Sequence, residues 1–253
     1  MTGGTGNLGS RVVPILRDSG RELRILSRHP RASEPGIRHV SGDTVAGEGL
    51  AAALDGVDVV LHLAGGAKGD DVAARNLAAA ARDAGVRHLV LISVIGADRM
   101  PIGYFRAKAA AERAIAGSGV AWSVLRAAQL HDFVLPVARG LARMPITPLP
   151  GGLRFEPVHG DEVAARLAEL ALGEPAGRVA DLAGPEVLDV RRLVATFRET
   201  MGARPRRGLP IRLPGAVGRA YRAGDNLASA GADRGARTWR SFVAERETAA
   251  ARP

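Results

Sequence analysis

Residues 1–13 read MTGGTGNLGSRVV, and the fold turns on how that stretch is understood. Gly3, Gly6 and Gly9 carry the spacing of a glycine-rich turn that leads from a strand into a helix, where unpaired first-turn amides favour an anion. On this reading a pyrophosphate lies against Thr5, Gly6, Asn7 and Leu8, and the glycines allow its close approach. Such a loop normally follows a buried strand, yet only Met1 and Thr2 precede the first glycine. In a doubly wound sheet that strand is central, and its absence would leave buried backbone groups on both neighbours unpaired, at about 1–3 kcal/mol each. The first β-strand is therefore expected to be missing from this sequence, with about five apolar residues, a usual strand length, lying ahead of Thr2.

Outward from the loop, apolar runs alternate with helical stretches. The runs fall at 22–27, 37–40, 57–64, 87–93 and 120–128, and their continuous apolar character suits strands covered on both faces. Helices are expected at about 9–19, 48–54, 70–84 and 103–117, with Gly20, Gly85 and Gly117 as left-handed terminal caps. The alternation predicts an α/β fold, a Rossmann-type doubly wound parallel sheet with a small C-terminal substrate lobe. Beyond residue 130, Pro136, Pro145, Pro148, Pro150 and Pro157 break the rhythm. A helix over 160–172, a strand over 178–183, a helix over 189–200 and a last amphipathic helix in TWRSFVAER are expected there. Residues 223–236, small and polar, read as mobile. Residues 1–150 form the dinucleotide-binding domain on this reading, and 151–253 the small lobe with its tail.

The chain has 253 residues, a formal net charge of +9 and no cysteine, and a pI near 11.2. The arginines are dispersed and aromatics make up only 4%, which argues against nucleic acid, since that needs clustered cations or stacking platforms. No apolar run approaches a membrane span and no leader-like segment opens the chain. The histidines at 29, 39, 62, 88, 131 and 159 lack ligand spacing, so no metal is expected. A cytoplasmic monomer or homodimer acting on a small molecule is the expectation.

Four further stretches carry chemistry. LSRHP places Arg28 at the end of a strand, where an acidic residue would bind ribose hydroxyls; a guanidinium there pairs with a 2′-phosphate and points to NADP(H) over NAD(H), with Arg31 assisting. Asp43 in SGD is positioned to accept from an adenine amino group, or simply to begin a turn. Ala64 and Gly65 in LAGG let a cofactor ribose lie near the backbone. In YFRAK, Tyr104 and Lys108 share one helix face. A free phenol titrates near 10, and bringing it to neutrality takes about 4 kcal/mol, which a neighbouring ammonium helps to supply. Lys108 also holds the nicotinamide ribose, and Ser93 is placed to donate to the substrate oxygen. Gln129, Leu130, His131, Phe133 and residues 155–159 are expected to line the substrate pocket.

TGGTGNLG, the SR after the second strand, HLAGG, NLAAAARDAGVRHLVLIS, YFRAK and LAGPE together resemble the short-chain dehydrogenase/reductase superfamily. Within it they resemble the atypical and extended branch of NmrA-like NAD(P)H-binding proteins and nucleotide-sugar epimerases. The resemblance covers about residues 2–130 closely and 150–200 loosely. It implies a catalytic tyrosine and lysine at Tyr104 and Lys108, an assisting serine at Ser93, and a relay asparagine at Asn76. Many extended members carry consecutive serines where this chain has Ser93 and then Val94. Two activities follow from it: an NADP(H)-dependent oxidoreductase acting on a small carbonyl or quinone-like substrate, or a non-catalytic NADP(H)-sensing regulator.

Overall fold

A computed structural model describes residues 1–66 and 69–250. Its elements begin with α1 (Gly9–Asp18), β1 (Leu23–Ser27), β2 (Ile37–Ser41), α2 (Leu50–Leu54), β3 (Val59–His62), α3 (Asp70–Asp83), β4 (His88–Val94), α4 (Gly103–Ala116) and β5 (Trp122–Ala127). There follow α5 (His131–Arg143), β6 (Thr147–Pro150), β7 (Arg154–Phe155), α6 (Gly160–Leu172), β8 (Gly177–Arg178), β9 (Leu182–Ala183) and β10 (Leu188–Asp189). The last are α7 (Val190–Thr200), β11 (Gly208–Ile211), α8 (Gly215–Ala223), β12 (Asp233–Arg234) and α9 (Trp239–Ala250).

The chain forms two compact units. The first comprises Met1–Asp98, Gly103–Arg126 and Asp161–Ala180; the second comprises Arg99–Ile102, Ala127–Gly160 and Asp181–Pro253.

The first unit carries the strand–helix alternation. β1 pairs in parallel with β2, β3 pairs in parallel with β4, and β5 lies beside β4 and pairs in parallel with β8. This is the Rossmann-type α/β arrangement. Its core is built from the apolar runs and the small side chains of α3: Leu77, Leu89, Leu91 and Ile115 are at most 1% exposed and pack with Ala74, Ala78 and Ala81. Full burial of one such leucine is worth about 1.5–3 kcal/mol, so truncating Leu77 alone removes a noticeable share of a typical stability. Gly20 and Gly85 adopt positive φ just past their helices, as caps should, whereas Gly117 does not and Gly119 does instead. The Gly117 N–H still bonds to Arg113 O at 3.0 Å, which prolongs the α4 pattern by one residue and moves the reversal later.

Between β1 and β3 the central ladder position is held by Met1 and Thr2. Thr2 bridges Leu26 and His62 in parallel fashion, and its N–H donates to Leu61 O at 3.0 Å while Leu26 N–H donates to Met1 O at 2.9 Å. Toward the amino ends of the flanking strands a cavity of about 780 Å³ opens, lined among others by Met1, Leu23, Arg24, Asp58, Val59 and Leu61.

In the second unit Ala127, the last residue of β5, pairs in parallel with Leu182 of β9, which continues to β12. The single strand expected over 178–183 is thus two short ones, β8 and β9, in different units. Val134, Leu135, Leu193, Phe197, Trp239 and Phe242 form this unit's core. α7 is capped by Asp189, whose carboxylate accepts Arg192 N–H at 2.7 Å. The segment over 223–236, expected to be mobile, is fastened instead. Asn226 is 1% exposed and donates to Arg154 O at 2.7 Å, while the carboxylate of Glu156 accepts from Ala228 N–H and Arg234, each at 2.7 Å. Small polar composition did not reveal that a buried carboxylate elsewhere needed these donors. Among the described residues no helix is long and apolar enough to cross a membrane.

Candidate active site

The glycine turn is dictated by close packing. Gly3 has φ +68°, and a Cβ there would stand 2.6 Å from Ala64 N; a Cβ on Gly9 would stand 2.1 Å from Gly3 O. Any side chain at either position would force the loop apart. Gly6 differs, because its added Cβ would meet only Gly3 O at 3.3 Å. It is exposed together with Thr5, so this part of the loop has room for a ligand. The α1 N-cap, Leu8, makes no side-chain bond and the first turn holds no acidic residue, so the helix's own residues bring no anion to the positive end of its dipole. Asn7 supports the turn: its carbonyl and its side-chain oxygen both accept Arg11 Nη1 at 2.7 Å, and Arg11 Nε pairs with Asp161 at 2.9 Å.

Ala64 and Gly65 connect this loop to α4. The small residues of α3 and Ala111 of α4 let the two helices pack tightly, which brings Asp70 against Lys108. Lys108 Nζ lies 2.9 Å from Asp70 Oδ2, with 7% and 5% of the side chains exposed. Asp70 Oδ1 accepts Gly66 N–H at 2.7 Å. Gly65 lies over this pair, since a Cβ there would stand 2.8 Å from Lys108 Nζ. Tyr104, one turn earlier and 39% exposed, has its ring centroid 6.0 Å from that ammonium. Burial, and then the charge of Asp70, push the Tyr104 pKa above its usual value near 10. Beneath the loop, Thr2 Oγ1 lies 2.6 Å from His62 Nδ1 and accepts Ala64 N–H at 3.2 Å. Burial, followed by the charge of Lys108, pushes the His62 pKa down to about 4.

Ser93 has a different partner from the one expected. It is 5% exposed, and its hydroxyl donates to Glu112. Glu112 also accepts Arg126 Nε at 2.8 Å and Arg126 Nη2 at 2.7 Å, while Arg126 Nη1 reaches Asp98 at 2.9 Å. Burial opposes the charge on Arg126, but Glu112 and Asp98 outweigh it and raise the guanidinium pKa. Asn76, assigned a relay role by resemblance, instead donates to Thr44 O at 3.0 Å and Val45 O at 2.9 Å. Asp43 takes the turn role: its Oδ1 accepts Val45 N–H at 2.7 Å and Ala46 N–H at 3.3 Å. Arg28 and Arg31 are exposed just past β1. In the second unit His131 is neither in a loop nor accessible. It opens α5, is 0% exposed, and packs against His159, Trp239 and Phe242 at ring-centroid distances of 4.9 to 5.8 Å. Phe133 is 64% exposed.

Asp70, Glu112, Arg126 and His62 were absent from the sequence-based candidates. Glu112 carried a signal, being the third member of a 104, 108, 112 stripe on one helix face. Asp70 opens its helix in an acidic first turn, a place where carboxylates are common for dipole reasons alone.

Against known proteins, a family described as NAD(P)H-binding matches residues 3–169. A Streptomyces griseus relative, (4-alkanoyl-5-oxo-2,5-dihydrofuran-3-yl)methyl phosphate reductase, is 31% identical over 80% of this chain and 73% of its own length. A ceramide reductase of Caulobacter vibrioides is 29% identical over 85% of this chain and 73% of its own. Among solved structures, the NADPH-dependent quinone oxidoreductase of Escherichia coli in complex with NADPH superposes with a TM-score of 0.78 at 20% identity, covering 97% of this chain and 98% of that one.

Proposed function

The chain belongs to the NAD(P)H-binding family, and from that premise we propose that it is an NADP(H)-dependent oxidoreductase acting on a small carbonyl or quinone-like substrate, with Tyr104 carrying the proton. The observation that carries this reading is the continuity of the glycine turn with Lys108. Gly3 abuts Ala64, and Gly65 abuts the Lys108 ammonium, so the 64–65 segment links the glycine turn to Lys108, which supports reading them as parts of one site.

The residues present fit a dinucleotide. Thr5, Gly6, Asn7, Leu8 and the uncapped start of α1 would hold its diphosphate. Arg28, with Arg31, would take a 2′-phosphate by paired hydrogen bonds and so favour NADP(H). Ala64, Gly65 and Lys108 would hold the nicotinamide ribose, and Asp43, through the oxygen its turn does not use, would face the adenine. The bound nucleotide supplies the hydride.

Tyr104 supplies the proton. Its hydroxyl donates to the substrate oxygen as negative charge develops there, and the phenolate left behind is favoured by the Lys108 ammonium on the same helix face. Because Tyr104 is 39% exposed, water can return the proton. With its hydroxyl given to Glu112, Ser93 is assigned to holding β4 against α4 rather than to the substrate.

Calorimetric titration with NADPH and NADH, followed by a spectrophotometric screen of carbonyls and quinones, tests the reading. NADPH is expected to bind at least about tenfold more tightly than NADH, as one charge-assisted contact implies, and Arg28→Ala should erase that difference. Failure to bind either nucleotide at millimolar concentration would end the proposal.

A further inference from the structure

The Lys108 ammonium faces a carboxylate as well as a phenol. A cation lowers the pKa of a neighbouring acid only to the extent that a contacting anion does not cancel its field. Asp70 is such an anion, 2.9 Å from Lys108 Nζ and as deeply buried. Its second oxygen is tied to Gly66 N–H at 2.7 Å, and Gly65 covers the pair, so the carboxylate cannot swing away without moving the 64–66 segment. We propose that Asp70 is the positioning residue of this site: it holds Lys108 beside Tyr104 and, through its own charge, decides how readily the Tyr104 hydroxyl releases its proton.

The surrounding charges agree with that assignment. Burial and then Asp70 raise the Tyr104 pKa, which keeps the hydroxyl protonated and able to donate in the resting protein. His62, at the end of β3, is neutral above about pH 4 because of its burial and then the charge of Lys108. Phe105, in edge contact with the Tyr104 ring at 5.5 Å, carries no charge. Among the described residues, Asp70 is therefore the charge that, after burial, raises the phenol's pKa, and the Lys108 ammonium it holds stands 6.0 Å from the ring centroid. The inference rests on the role proposed for Tyr104, but its physical content does not require turnover.

The test is a titration of Tyr104 without nucleotide, followed by phenolate ultraviolet absorbance, in the whole chain carrying Tyr221→Phe so that Tyr104 is its one tyrosine. Asp70→Asn in that background is expected to lower the midpoint by about one pH unit, roughly tenfold in the ionisation constant. An asparagine can still accept the Gly66 N–H, so a merely structural role would shift stability and leave the midpoint in place. If a buried ammonium without its partner prevents folding, Lys108→Met is compared with Asp70→Asn/Lys108→Met, and the double variant is expected to titrate below the single one. A midpoint unmoved by removal of Asp70 overturns the proposal, whether or not the protein reduces any substrate. A shifted midpoint in a protein without turnover would support it while defeating the oxidoreductase reading.

Discussion

Tyr104, Lys108 and Glu112 lie along one face of α4, but the two charged members are held in opposite ways. Glu112 uses both oxygens on the planar fork of Arg126, receives the Ser93 hydroxyl as well, and shares that arginine with Asp98. Among the described residues, Lys108 is held through one oxygen of Asp70. A bidentate guanidinium–carboxylate pair fixes orientation as well as charge, whereas an ammonium is a point charge on a flexible stem with three donors to share. The contrast teaches that burial does not separate architecture from chemistry here. On the reading proposed above, the number of directional bonds among the described residues does: the saturated cluster ties β4, β5 and α4 together, and the sparsely bonded one would leave a cation with donors to offer a ligand.

The largest expected effect lies at the sparsely bonded end. Tyr104→Phe should reduce turnover by about 10²–10⁴-fold, the usual worth of a positioned proton donor, while nucleotide affinity and the denaturation midpoint stay close to those of the parent. At the saturated end the pattern should invert. Arg126→Met leaves Glu112 buried without its partner and should cost about 3–5 kcal/mol in urea denaturation, with turnover per folded molecule retained. If Arg126→Met abolished turnover in folded protein, or Tyr104→Phe destabilised it without affecting catalysis, the distinction between the two clusters would collapse.

How much of this was legible in the sequence follows from the range of the interactions. The strands and helices up to about residue 128 are local consequences of apolar runs and glycine stops, and the structure places β1 to β5 within one or two residues of those runs. Tyr104 and Lys108 were legible because four residues of helix bring them together. Asp70 and Arg126 were not, because their partners lie 38 and 14 positions away and only packing of α4 against α3 and β5 decides which carboxylate each cation meets. The same holds for Asn76, whose amide is taken by a loop more than thirty positions earlier, and for the return of 161–180 to the first unit.

Acid should separate the two clusters in sequence. Beside Lys108, the unfolded His62 takes up a proton near pH 6.5, but the folded one does so only near 4 because of burial and then Lys108. The unfolded state therefore binds more protons in that window, and stability falls as pH drops from about 6.5 to 4, by on the order of 3 kcal/mol. His62→Gln should flatten this slope in pH-dependent denaturation. Part should persist, since His131 is likewise lowered to about 4, by burial and then His159. Beside Glu112 the change comes later. Burial alone would raise the Asp98 carboxyl, but the hydrogen bond and charge of Arg126 outweigh it and lower it below 3.8, so its stabilisation is present above about pH 4 and is lost only below.

The smallest expected effect is the sharpest discriminator. Ser93 stands at the end of β4, where the sequence suggested a donor to the substrate, but its hydroxyl points to Glu112. If it belongs to the saturated cluster, Ser93→Ala removes one hydrogen bond from a carboxylate that still has the Arg126 fork. The cost should then be about 1 kcal/mol of stability, with kcat within about twofold of the parent, since less than half a kcal/mol of barrier would change. If instead the hydroxyl turns to the substrate during reaction, its loss should lower kcat by about 10²-fold or more, as removal of an oxyanion donor does. Stability and kcat measured on the same preparation therefore assign Ser93 to one cluster or the other, and a large fall in kcat would mean that the Glu112 cluster is not purely architectural.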